Sequence, residues 1–115
     1  MGAYLVESAE RRMAITADDA HKAALWFVHR ALERLLPMYD DDGWTREEKE
    51  RAARHEARQV LDSEVVVRER GPIHCRTWRF DTMALATLYN ELMMALTDLD
   101  RRLAAPFTPS LALAA

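Results

Sequence analysis

Along the last third of the chain, apolar residues return at three- and four-residue steps: Leu85, Leu88, Tyr89, Leu92, Met93, Leu96, Leu99 and Leu103. That rhythm predicts a helix over about 82–104, with Asp81 or Thr82 as its N-cap. At about 100° per residue these side chains fill roughly half the helix circumference, against the ~100° stripe of an ordinary surface helix. So broad a face predicts more than one neighbour, a second copy of the chain among them.

The same periodicity marks two earlier helices. One spans about 17–36, with Thr16 as N-cap, Asp18 and Asp19 in the first turn and Pro37 as terminator. Its buried face should hold Ala20, Ala24, Phe27, Val28, Ala31, Leu32 and Leu35. Lys22, His29, Arg30 and Glu33 fall opposite, and Trp26 stands among them. After the turn residues Asp40-Asp41-Asp42-Gly43, Thr45-Arg46-Glu47-Glu48 matches a capping box and starts a helix over about 46–62. Ala53, Ala57, Val60 and Leu61 form its narrow stripe. Continued helically, that stripe would next bury Glu64, so the helix should end near Asp62-Ser63.

Between the second and third helices the period changes. Val65-Val66-Val67 is a β-branched run suited to a strand. Gly71-Pro72 follows, and then Ile73 to Phe80. These residues predict a β-hairpin over about 64–80 with a type II′ turn, pairing Glu69 with His74 and Val65 with Trp78. Trp78 and Phe80 would then share a face with Val65 and Val67. A single helix over 46–70 is the alternative. Residues 3–15 read either as short strands around a polar turn or as one short helix, with extended structure expected just before Thr16. The expected fold is α+β and mostly helical, with three main helices and one hairpin. Its core should combine Phe27, Val28, Leu32, Leu35, Val60, Leu61, Val65, Val67 and Trp78 with the Leu85, Leu92 and Leu99 stripe. Residues 1–103 form the expected domain, and 104–115, uncharged and carrying Pro106 and Pro109, a flexible tail.

Composition narrows the function. The 115 residues are 50% hydrophobic and 30% charged, the balance of one globular domain. A net charge of -3 gives no global attraction to nucleic acid. No uncharged stretch approaches the ~20 residues of a membrane span, and the amino-terminal residues do not read as a secretion signal. A cytoplasmic protein is expected. Cys75 is the single cysteine, so no intrachain disulfide can form.

Chemistry-bearing residues do not assemble into a motif. His74 and Cys75 are adjacent, but on a strand they point to opposite faces. His55-Glu56 opens like a zinc-protease helix, yet Gln59 stands where the second histidine belongs. His29 and Glu33 are four apart on one helix face and lack a third ligand. Gly2, Gly43 and Gly71 are the only glycines, so no phosphate-cradling loop exists. No enzyme activity, cofactor or metal is expected.

Two surfaces remain. Between Val65 and Phe80, Arg68, Arg70, Arg76 and Arg79 face a single acid, Glu69, for a local charge of +3. Guanidinium groups pair with phosphates, and Trp78 offers a ring for a base, so this hairpin is a candidate nucleic-acid surface. The order of helix, valine run, arginines, turn, aromatic strand and long helix over about 57–103 resembles the wing region of winged-helix regulators, which implies DNA binding. It departs from them because 46–61 reads as one continuous helix. The second surface is apolar. Met94 interrupts the polar arc of Thr87, Asn90, Glu91, Thr97, Asp98 and Arg101, as Trp26 interrupts that of the first helix. With Tyr89, Met93 and Leu96 they form a candidate interface, since burying such a side chain contributes about 1.5–3 kcal/mol. The terminal Leu113-Ala114-Ala115 resembles the end of the bacterial trans-translation degradation tag. The expectation is a non-enzymatic interaction or regulatory protein, a homodimer with a further protein partner. A nucleic-acid-binding regulator is the alternative.

Overall fold

A computed structural model of the chain describes residues 1–71 and 75–114, with side chains described through 103. Its elements are strands β1 (Gly2–Ser8) and β2 (Arg11–Ala17), helix α1 (Ala20–Ala31), a 3-10 turn (Glu33–Leu35), helices α2 (Leu36–Tyr39) and α3 (Arg46–Val60), strands β3 (Glu64–Glu69) and β4 (Thr77–Asp81), and helix α4 (Thr82–Ala114). The four strands form one antiparallel sheet in the order β2-β1-β3-β4. Each half of the chain therefore supplies two strands and then a helix, and the first strands of the two halves pair at the centre.

This corrects the expected fold of three helices and a lone hairpin. Half the sheet is amino-terminal, and the described residues form four helices. Of the two readings of residues 3–15, the strands around a turn are the ones formed, and they follow a simple alternation. In β1, Tyr4, Val6 and Ser8 are buried and the residues between them are not. Tyr4 pairs with Ile15 and Val6 with Met13, so β2 continues the same inner face at the sheet edge. Val6 also pairs with Val67, which pairs with Trp78. β3 is thus an interior strand and β3-β4 is no free wing. The expected pairing of Val65 with Trp78 is wrong by two residues. Val65 faces Phe80, and the Glu69 N–H donates to the Arg76 carbonyl at 2.8 Å. The connection is longer than a two-residue turn, and Pro72, Ile73 and His74 within it lie outside the described residues.

Helix boundaries follow local chemistry. Asp19, not Thr16, caps α1, its Oδ1 accepting from the Lys22 N–H at 2.8 Å, because Thr16 and Ala17 belong to β2. α1 stops at Ala31, well short of Leu36. Proline fits the first turn of a helix, and Pro37 opens α2, which carries Met38 and Tyr39 into the core. The capping box of α3 is formed: the Glu48 N–H donates to Thr45 Oγ1 at 3.1 Å, and the Thr45 N–H to Glu48 Oε1 at 2.8 Å. The Thr45 N–H holds the Glu48 carboxyl below its ordinary range.

α3 ends at Val60 because the next residues are stapled to other elements. The Asp62 N–H donates to Ser8 Oγ at 3.0 Å, and that hydroxyl donates to the Glu64 carbonyl at 2.7 Å. The Thr82 hydroxyl donates to the Asp62 carbonyl at 2.6 Å. These bonds satisfy buried polar groups where helix turns into strand.

The core lies between the inner sheet face and the helices. Phe27, Val28, Leu32, Val6, Val65 and Val67 are fully buried, with Ala53 and Ala57 from α3 and Leu85, Ala86 and Tyr89 from α4. Leu35, Val60, Trp78 and Phe80 pack at its margin. Leu92 and Leu99, expected in this core, are instead 44% and 52% exposed. Leu92 stands at the surface beside α1, and Leu99 lies about two turns farther along α4. The tail expected over 104–115 lies outside the residues with described side chains, as does the Leu113-Ala114-Ala115 end.

Candidate functional site

α1 and α4 cross against the sheet and leave a groove between them on the solvent side. Lys22, Leu25, Trp26 and His29 line it from α1, and Tyr89, Leu92, Met93 and Leu96 from α4, around a volume of about 320 Å³. These positions recur at three- and four-residue intervals on each helix, which is why they reach one groove. Its walls are apolar except for Lys22 and the floor. There His29 Nδ1 and the Tyr89 hydroxyl share a hydrogen bond of 2.9 Å. Trp26 stands edge-on to His29, with ring centroids 5.8 Å apart.

The floor is braced from behind. Tyr39 packs edge-on against Tyr89 at 6.4 Å and donates to Asn90 Oδ1 at 2.8 Å. Buried Lys49 donates to the Tyr39 carbonyl at 3.4 Å. Burial pushes the Tyr89 hydroxyl pKa up to about 12. Burial raises that of Tyr39 further, helped by the neighbouring Tyr89. Both hydroxyls stay neutral near pH 7. The network holds the groove in shape.

Of the residues expected at an interface, Trp26, Tyr89, Met93 and Leu96 meet in this groove. Met94 does not. It lies on another side of α4, half-buried against the core. Tyr89 contributes its hydroxyl to the floor but is itself buried. Sequence reasoning missed Leu25, which reads as an ordinary helix position, and assigned Leu92 to the core. Beyond the groove the apolar line continues into solvent. Leu96, Leu99 and Leu103 are 57%, 52% and 53% exposed, and Trp26 is 58% exposed. Trp26 also borders a second hollow with Met13 and Ile15 of edge strand β2.

The arginines of the candidate nucleic-acid surface do not gather. Arg68 and Arg79 lie on the outer sheet face, where Arg68 is ion-paired with Glu7 and Arg79 with Glu64 at 3.6 Å. Arg12 shares Glu7 at 3.2 Å. Arg76 and Trp78 belong to the opposite face, in a hollow with Tyr4 and Glu69. Trp78 packs edge-on against Tyr4, with centroids 5.9 Å apart. Arg70 is exposed, and its backbone N–H donates to the Ala3 carbonyl. Acids neutralise the outer pair, and the ring intended for a base faces the other way.

Among the described residues, no three His, Cys, Asp or Glu side chains are close enough to hold a metal ion. His29 and Glu33 turn to different partners, Tyr89 and Arg30. Cys75 is exposed and donates to the Gly71 carbonyl, while its neighbour His74 lies outside the described residues. Buried Glu56 faces Arg34 at 3.2 Å. No helix among the described residues is long and apolar enough to cross a membrane. Comparison with known protein families, curated proteins and solved structures finds no match.

Proposed function

We propose that this chain works by association: a small, non-enzymatic interaction or regulatory protein that pairs with itself through α4 and Trp26. Its remaining surface is then offered to another protein. The observation that carries this reading is the contiguous row of Trp26, Leu92, Leu96, Leu99 and Leu103, each between 44% and 58% exposed. Single exposed apolar residues are ordinary, but a continuous apolar surface on a small domain marks a contact site. A cytoplasmic setting fits the exposed free thiol of Cys75.

Light scattering on the purified chain tests the reading. The expected mass is twice that of one chain, and Leu96→Asp should halve it without loss of helical signal, since a charge in a dry interface goes unpaired. A wild-type monomer at high concentration overturns the proposal.

A further inference from the structure

β2 is an open edge of the sheet. The Arg70 N–H donates to the Ala3 carbonyl, so the odd-numbered residues of β1 turn their backbone groups toward β3 and the even-numbered ones toward β2. The register pairs those even residues with Arg11, Met13, Ile15 and Ala17. The N–H and C=O groups of Arg12, Ala14 and Thr16 therefore point away from the sheet, and none has a partner among the described residues. Proteins ordinarily blunt such an edge with proline, a bulge, charge or a covering segment. β2 contains no proline or glycine, and its register against β1 runs unbroken over seven residues. Its two charges, Arg11 and Arg12, sit together at one end. The other edge strand, β4, is five residues long and carries Arg79 and Asp81.

On the inner face this edge is unfinished. Met13 and Ile15 are only half-buried, and with Trp26 and Arg30 of α1 they border a hollow of about 310 Å³ beside the strand. α1 thus leaves room there for the side chains of an added strand. Trp26 borders both this hollow and the α1–α4 groove.

We infer that β2 pairs antiparallel with β2 of a second copy, joining the two sheets into one. The inference rests on the self-association proposed above and carries that contact from Trp26 onto the sheet. The strand is complementary to itself. Centred on Ala14, the pairing sets Ala14 opposite the partner's Ala14, Met13 opposite the partner's Ile15, and Arg12 opposite the partner's Thr16. All seven residues of each strand are then paired. Arg12, Ala14 and Thr16 exchange about six hydrogen bonds with the partner. A slip of one residue would set apolar side chains against the polar face, and a slip of two would leave the strand ends unpaired. The two-fold axis lies perpendicular to the sheet, so the helices of both copies stay on one face. Met13, Ile15 and Trp26 of both copies meet over the joint. Charge favours this direction. Arg11, exposed on the helix side of the strand, reaches the end of the partner's strand, where exposed Asp19 caps α1. A parallel pair would set Arg11 and Arg12 beside the same residues of the partner.

Cysteine crosslinking and amide exchange test the edge. In a Cys75→Ser background of the full chain, Ala14→Cys and Arg12→Cys are each oxidised alone. Both sites are exposed in one chain, and far-UV circular dichroism checks that the variants fold. The pairing predicts a disulfide dimer as the main product of Ala14→Cys, whose two copies face each other with Cα atoms about 5.5 Å apart, within disulfide range. Arg12→Cys should give almost none, since its two copies lie about 14 Å apart along the strands. In a concentrated sample of the unsubstituted chain, the Arg12, Ala14 and Thr16 amides should exchange about tenfold or more slowly than those of an unpaired peptide. That measurement needs no substitution and decides alone should Ala14→Cys fail to fold. A dimer by light scattering in which these three amides exchange freely, or in which Ala14→Cys crosslinks no better than Arg12→Cys, overturns the inference and leaves self-association standing. A monomeric mass at high concentration removes the proposed function along with it.

Discussion

Tyr39 and its acceptor Asn90 are the polar pair on which the core most depends. Both are buried, and the hydroxyl donates to Asn90 Oδ1 at 2.8 Å. Tyr39→Phe should therefore cost about 1–3 kcal/mol, because it leaves a buried acceptor unsatisfied; urea unfolding monitored by circular dichroism measures it. The two buried tyrosines also set an alkaline limit. Their folded pKa values lie above the ordinary value, at about 12 for Tyr89. The unfolded chain thus loses protons first as pH rises. Their contribution to stability is whole below pH ~10 and declines through Tyr89's folded pKa. Unfolding midpoints should hold from pH 7 to about 9.5 and fall beyond it, with a smaller fall in Tyr39→Phe. A midpoint unchanged up to pH 12 would contradict this account. Tyr39 was illegible in the sequence because Pro37 reads as the end of a helix. Proline suits a first turn equally well, and only the packing of Met38 and Tyr39 decides between the two.

At the scale of elements, α3 depends on small side chains. Ala53 and Ala57 are fully buried where the helix packs into the core. Ala57→Leu should destabilise the fold by about 1–3 kcal/mol, since the packed neighbours must shift to admit the extra carbons; thermal or denaturant unfolding checks the direction. The capping box that starts α3 was readable, because donors and acceptors three residues apart suffice to form it. The Glu64 conflict placed the end of the helix near Asp62-Ser63, and α3 stops slightly earlier, at Val60. The strand register was not readable. Alternation tells which side chains share a face, so Val65, Val67, Trp78 and Phe80 could be grouped. Sliding the pair by two residues preserves that grouping, and only the loop length and the neighbouring β1 choose the true register.

At the scale of the molecule, the part of α4 beyond the core governs behaviour in solution. If copies associate there, unfolding midpoints rise with protein concentration, because association stabilises the folded state by mass action. Leu96→Asp should abolish that dependence and leave the midpoint of the dilute protein nearly unchanged. Scanning calorimetry over a hundredfold range of concentration makes the comparison. Alanine replacement of Arg68 and Arg79 should leave the mass unaltered, since both sit on the outer sheet face against Glu7 and Glu64.

The sequence by itself determined what local forces control: α3 and the start of α4, the helical character of α1, the Thr45 box, the β-branched strand, and the breadth of the apolar arc on α4. Each needs only residues within a few positions of one another. Tertiary structure alone decided that the first seventeen residues become half of a sheet, that Glu7 and Glu64 neutralise Arg68 and Arg79, and that Leu92 and Leu99 lie outside the core. Those outcomes rest on pairings between residues far apart in the chain, whose partners no local pattern can name.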